Sequence, residues 1–139
     1  MQKLIIDTNV IVSSLIQKSY PHSIIYDLFI GDKIYLCISA SLMSEYYNVL
    51  ERPKFLRFQE FTTKARNVLS NVELKAIRYT PRVVLDLISD KGDNKILELA
   101  EECSADFIVT GNTTDFVFPQ YRQTRIVTPK EYWEKYKPK

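Results

Sequence analysis

A chain of 139 residues suits one domain with one core. Hydrophobic residues make up 45% and charged residues 26%, which excludes a disordered chain, and only three glycines argue against a loop-rich architecture. The formal net charge of +2 excludes the strongly basic and acidic extremes and is neutral about a nucleic-acid partner.

No apolar run approaches the roughly 18 residues of a membrane span, so no membrane role is expected. Asp7 interrupts the first apolar run too early for a signal peptide. Cys37 and Cys103 lie far apart in the sequence, in apolar surroundings, without metal-ligand spacing. They read as buried, reduced thiols of a cytoplasmic protein, with a disulfide as the other reading.

Leu4, Ile5 and Ile6 run straight into Asp7, as in a strand buried on both faces of a parallel sheet. Asp7 then stands at the strand's carboxyl end, the edge where open α/β sheets bind ligands. Thr8 and Asn9 are good helix starters, so Asp7 has a second reading as a helix cap. Residues 10–17 follow as a short helix, with Ile11 and Leu15, then Val12 and Ile16, four apart. Pro21 marks a second helix start, over 23–30, closed by Gly31. His22 is the only histidine, and it reads as a surface loop residue. Residues 33–38 form a strand rich in β-branched and aromatic side chains.

Ser39 or Ser41 starts the next helix, which runs to about Glu51. Leu42, Glu45 and Val49 share a face there, with Met43, Tyr46 and Leu50 alongside. Glu45 thus points toward the apolar side, where an unpaired carboxylate costs several kcal/mol unless a cation meets it. A Glu at the edge of the stripe, reaching solvent, is the alternative. Pro53 ends this helix. Arg52, Lys54 and Arg57, then Lys64 and Arg66, are interleaved with Phe55, Phe58 and Phe61. Cations for phosphates and aromatics for bases make this a candidate RNA-binding surface; core phenylalanines under a solvated charged face are the other reading.

Residues 61–74 read as a helix, 76–79 as a strand, and 83–89 as an apolar segment of undecided type. Ser89 to Asn94 is polar and leads into a helix whose buried face carries Ile96, Ala100 and Cys103. Asp93 stands on that face in the first turn, where the helix dipole favours a carboxylate by roughly 0.3–1 kcal/mol. A cap role for Asp90 or Asp93 is therefore open. Residues 105–110 form another buried strand, breaking at Gly111 and Asn112. Residues 125–127 are a last short strand. Thr128, Pro129 and Glu131 then write a capping box.

Strands alternating with helices imply an α/β fold: three layers, α/β/α, around a central mostly parallel sheet. Asp7, Glu45, Asp93 and Asn112 each follow a strand end or open the next helix, so they converge at one sheet edge. The expected spacing of the three carboxylates is about 4–7 Å, near enough to share one ion. Carboxylates without His or thiolate suit hard ions, Mg²⁺ or Mn²⁺. Such an ion suits phosphodiester hydrolysis.

The ordered set of motifs resembles the PIN-domain nucleases, and within them the toxins of bacterial and archaeal toxin–antitoxin pairs. The resemblance rests on Ile6 to Val10, on Glu45 within 39–50, and on residues 93–100, 108–112 and 127–131, and it covers nearly the whole chain. It implies a metal-dependent endoribonuclease acting on RNA, with Asp7, Glu45 and Asp93 as catalytic and metal-binding acids. Thr8 and Asn9 would orient the first acid, and Thr110 would hold the network by hydrogen bonding. It also implies a small antitoxin as partner, and a homodimer. One departure stands out: the pattern often has a fourth acid where this chain has Asn112, and Asp115 lies three residues on as a substitute ligand. A PIN module of weak or no catalytic activity, acting in RNA or protein binding, is the alternative. A haloacid-dehalogenase-type phosphatase fails on Asn9, which stands where that chemistry needs an acid.

Overall fold

The computed structural model describes residues 1–88, 90–111, 116 and 119–139. Six strands form one sheet among these residues: β1 (Lys3–Ile6), β2 (Tyr35–Ile38), β3 (Ile77–Arg78), β4 (Phe107–Val109), β5 (Gln120–Tyr121) and β6 (Thr124–Val127). Six α-helices connect and cover them: α1 (Thr8–Ile16), α2 (Tyr20–Ser23), α3 (Ala40–Leu50), α4 (Phe61–Lys75), α5 (Lys91–Cys103) and α6 (Pro129–Glu131). The architecture is the expected three-layer α/β/α sandwich around a mostly parallel sheet.

The strand order is β3-β2-β1-β4-β6-β5. Every pairing is parallel except β5 with β6, a short hairpin turned through Arg122 at φ 51 that the sequence reading lacks. The chain winds outward from β1 through β2 to β3, then returns to the other side of β1 to lay down β4. The direction of winding therefore reverses between β1 and β4, and a crevice opens outside their carboxyl ends. Leu4, Ile5, Ile6, Ile108 and Val109 are wholly buried, as strands covered on both faces require.

Several boundaries differ from the expectations. The helix begun at residue 10 begins at Thr8 instead. The second helix, read over 23–30, is α2 followed by a π-helical turn, Ile24–Phe29. His22 belongs to α2, half-buried with its ring 4.4 Å from that of Tyr26, so it is not a surface loop residue. Gly31 closes this region because a Cβ there would lie 2.2 Å from the Asp27 carbonyl oxygen. Both cysteines are free, buried thiols. The Cys103 sulfur beside it, and then burial, push the Cys37 thiol well up, so it keeps its proton.

Residues 83–88 of the undecided segment before α5 are neither strand nor helix. The segment's backbone is held by side chains one turn apart on α5. Asn94 Oδ1 accepts from the Leu87 and Ile88 amides at 3.0 Å each, and its Nδ2 donates to the Ile88 carbonyl at 2.7 Å. Glu98 accepts from the Leu85 amide at 2.9 Å, and Glu102 from the Arg82 amide and guanidinium. An apolar run whose amides are met by a helix has no call for a neighbouring strand.

At the end of the sheet the capping box is formed. Thr128 Oγ1 accepts from the Glu131 amide at 3.1 Å, and Glu131 accepts from the Thr128 amide at 3.2 Å. Thr128→Ala is expected to lower stability by about 1 kcal/mol, read as a shift in the urea midpoint. An unchanged midpoint would mean that buried Tyr132 seats this helix without its cap.

Candidate active site

Asp7 ends β1 with extended backbone, φ −62 and ψ 147, and occupies the N-cap position of α1. Its carboxylate makes no capping hydrogen bond. Instead its Oδ2 accepts from the Thr110 hydroxyl at 2.8 Å. The Asp7 amide reaches the Val109 carbonyl and the Thr110 amide the Val127 carbonyl, each at 2.9 Å. The first acid and its hydroxyl partner thus face each other across the crevice where the winding reverses. The cap reading of Asp7 explains its position but not the direction of its carboxylate.

Thr8 is buried in the first turn of α1, and its hydroxyl donates to Glu45 Oε2 on α3. Neighbouring residues therefore serve two acids: Asp7 is one, and Thr8 holds the other. Beside them Tyr46 is wholly buried, its hydroxyl donating to the Ile6 carbonyl at 2.5 Å. Burial first, then the negative charges of Asp7 and Glu45, drive its phenol well above the ordinary range. Tyr46 locks α3 onto the end of β1 and so sets Glu45 against Thr8. In the sequence Tyr46 is only one member of an apolar stripe.

Glu45 itself is exposed, which corrects the inward-facing expectation. The buried face of α3 is Leu42, Met43, Tyr46 and Leu50, and Glu45 lies at its margin. Its carboxylate needs no cation to offset desolvation; what fixes it is the Thr8 hydroxyl. Ser39 caps α3, accepting from the Leu42 amide at 3.1 Å.

Asp93 is half-buried in the first turn of α5. The cap of that helix is Asp90, whose Oδ1 accepts from the Gly92 amide at 2.7 Å and the Asp93 amide at 3.3 Å. Asp93 is thereby released from capping. Gly92 and Lys95, on either side of it, line one small cleft with Glu45, so the start of α5 faces the same edge as α3. Asn9 is exposed, and the hydroxyl on Asp7 comes from Thr110 rather than from Thr8. Asn112 and Asp115 lie outside the described residues.

The basic region divides. Phe55 and Phe61 are buried with rings 5.0 Å apart, and Phe58 is half-buried, so these aromatics belong to the core and offer no platform for bases. Arg52, Lys54 and Arg57 are exposed, with Lys54 over the Phe55 ring and Arg57 over that of Phe58.

Residues 3–114 match the family model described as PIN domain. The chain belongs to the PIN-domain family. PIN domains are in general nucleases, and typically use divalent metal ions. The chain is also similar to the uncharacterized protein MJ1680 of Methanocaldococcus jannaschii, 25% identical over 142 residues, covering 96% of this chain and 91% of that one.

The donor chemistry fits a hard divalent ion. Asp7 and Glu45 offer carboxylate oxygens, Thr110 and Thr8 hold them with hydroxyls, and no imidazole or thiolate is among them. Among the described residues, no group of three or more His, Cys, Asp and Glu side chains is arranged to hold a metal ion. No helix among the described residues is long and apolar enough to cross a membrane.

Proposed function

We propose that the chain, as a single PIN domain over 1–139, is a Mg²⁺- or Mn²⁺-dependent endoribonuclease, and the toxin of a toxin–antitoxin pair. The observation that carries the nuclease reading is the Asp7 carboxylate, turned away from the helix it could cap and bonded to Thr110 across the crevice between β1 and β4. Asp7, Glu45 and Asp93 would hold the ion by closing on it as it binds. When bound, it supplies an activated water and stabilises the negative charge that develops on the phosphate. The chain's own part is to orient: Thr110 steers Asp7, Thr8 steers Glu45, and Asp90 takes over the capping that would otherwise occupy Asp93. Arg52, Lys54 and Arg57 are proposed to meet RNA phosphates through charge alone, since the phenylalanines beneath them are core.

The test is incubation of purified protein with single-stranded RNA in Mg²⁺, Mn²⁺ and EDTA. Cleavage that needs the metal supports the reading. RNA binding without cleavage under any of these conditions would favour the catalytically weak module. The toxin role, a small antitoxin partner and a homodimer rest on the family resemblance of the ordered motifs, and a cytoplasmic location on the two free thiols. Growth arrest on expression, relieved by the product of a neighbouring reading frame, tests the first two.

The fourth position adds a sequence-based prediction. Asn112 can offer a metal its amide oxygen but no charge. Asn112→Asp is expected to lower the Mg²⁺ needed for half-maximal cleavage about tenfold, or about 1.4 kcal/mol. Asp115→Ala should raise it if Asp115 has taken the ligand role. Superimposable titrations would mean that neither residue contributes.

A further inference from the structure

Two clefts run together, the first of them beside Glu45. The first, about 40 Å³, is walled by Glu45 and Gly92. The second, about 160 Å³, reaches Tyr79 and Pro81. Ser39, Ser41 and Lys95 line both, so a single path leads from Glu45 past Ser41 to Tyr79. Lys95 is the one cation among the described residues that line it.

Lys95 is also held. Its ammonium lies 3.4 Å from Glu98 Oε1. The Glu98 side chain is 5% exposed, that of Lys95 55%. The other Glu98 oxygen is taken by the Leu85 amide at 2.9 Å, which fixes the carboxylate in place. A buried, doubly engaged acid therefore anchors a lysine whose ammonium stays open to the cleft. Lysine has three donors, and a single contact with Glu98 leaves others for a ligand. A polyanion approaching Glu45 and Asp93 meets negative charge, and a cation two residues beyond Asp93 offsets it at that point.

We propose that this path is where the RNA strand lies, and that Lys95 binds one of its backbone phosphates next to the cleavage position. The proposal rests on the nuclease reading for its substrate and adds the binding residue and the direction of the strand. A lysine serving only to neutralise Glu98 would leave RNA affinity untouched.

The experiment measures binding separately from cleavage. A fluorescent single-stranded RNA is titrated with the Asp7→Asn protein in EDTA across a range of salt, followed by anisotropy. Adding Lys95→Gln should weaken binding several-fold and reduce the slope of log Kd against log salt by about 0.7, the share of one phosphate contact on a single strand. Lys95→Arg should retain the slope. If Lys95→Gln unfolds because Glu98 is left buried and charged, the Lys95→Gln, Glu98→Gln double variant removes that charge and is read in the same way. An unchanged slope in the variant that folds overturns the proposal, as does failure of the Asp7→Asn protein to bind RNA. Loss of slope alongside a wild type that never cleaves RNA would keep the path and sink the nuclease reading alone.

Discussion

Asp7→Asn is expected to abolish metal-stimulated RNA cleavage, by a factor on the order of 10³ or more, or about 4 kcal/mol of transition-state stabilisation. The fold should survive. Asn keeps an oxygen that can accept from Thr110, and loses only a negative charge near Glu45. Stability should therefore hold or rise slightly, since like charges repel most where solvent screens them least. The cap reading predicts the reverse for cleavage, which would be untouched, and allows no stability gain from a residue that caps as well as Asp does. Cleavage rate and urea midpoint, measured on the same preparation, separate the two. A variant that cuts RNA at near wild-type rate would remove Asp7 from the chemistry.

Asn94→Ala should be more damaging to stability than Asp7→Asn or Thr128→Ala. Asn94 is 3% exposed, and three hydrogen bonds leave with its amide. The Ile88 amide is buried and has no water to replace the lost acceptor. At about 1 kcal/mol per bond, with more for an amide left unsatisfied, the cost is about 2–4 kcal/mol. That is a large part of the 5–15 kcal/mol typical of a folded domain. Asn94→Asp keeps both acceptor contacts but buries a charge and sets an oxygen against the Ile88 carbonyl, so at neutral pH its loss should be at least as large. Urea unfolding of the two variants tests this, and a cost for alanine below about 0.5 kcal/mol would show that the segment before α5 holds itself. The same residue ties that segment to the turn before Asp93, so cleavage by Asn94→Ala should fall as well, even at denaturant-free stability.

Much of the molecule was legible in local sequence. The buried strands showed as apolar runs because both faces of β1 and β4 are covered. The capping box at Thr128, the cap at Ser39 and the stop at Pro53 are short-range hydrogen-bonding and steric facts, carried by the residues themselves. Asp7 was legible as the residue that ends β1, but the same position suits a helix cap, and local sequence does not say which way its carboxylate turns.

Other features depend on which segments meet. Helical periodicity put Glu45 on the apolar face, yet the angular margin between a buried and an exposed helix position is about one residue, and the seating of Tyr46 against Ile6 turned Glu45 outward. The partner of Asp7 is Thr110, 103 residues away, a pairing that local pattern cannot express. The apolar segment before α5 looked undecided because its hydrogen-bond partners are side chains on a helix still to come. Local pattern was enough for an alternating α/β chain with an acid at the end of β1. The tertiary structure alone decided the strand order, and with it the crevice between β1 and β4. Side-chain periodicity reports which face is buried, whereas strand order is set by long-range packing among elements whose local patterns are alike.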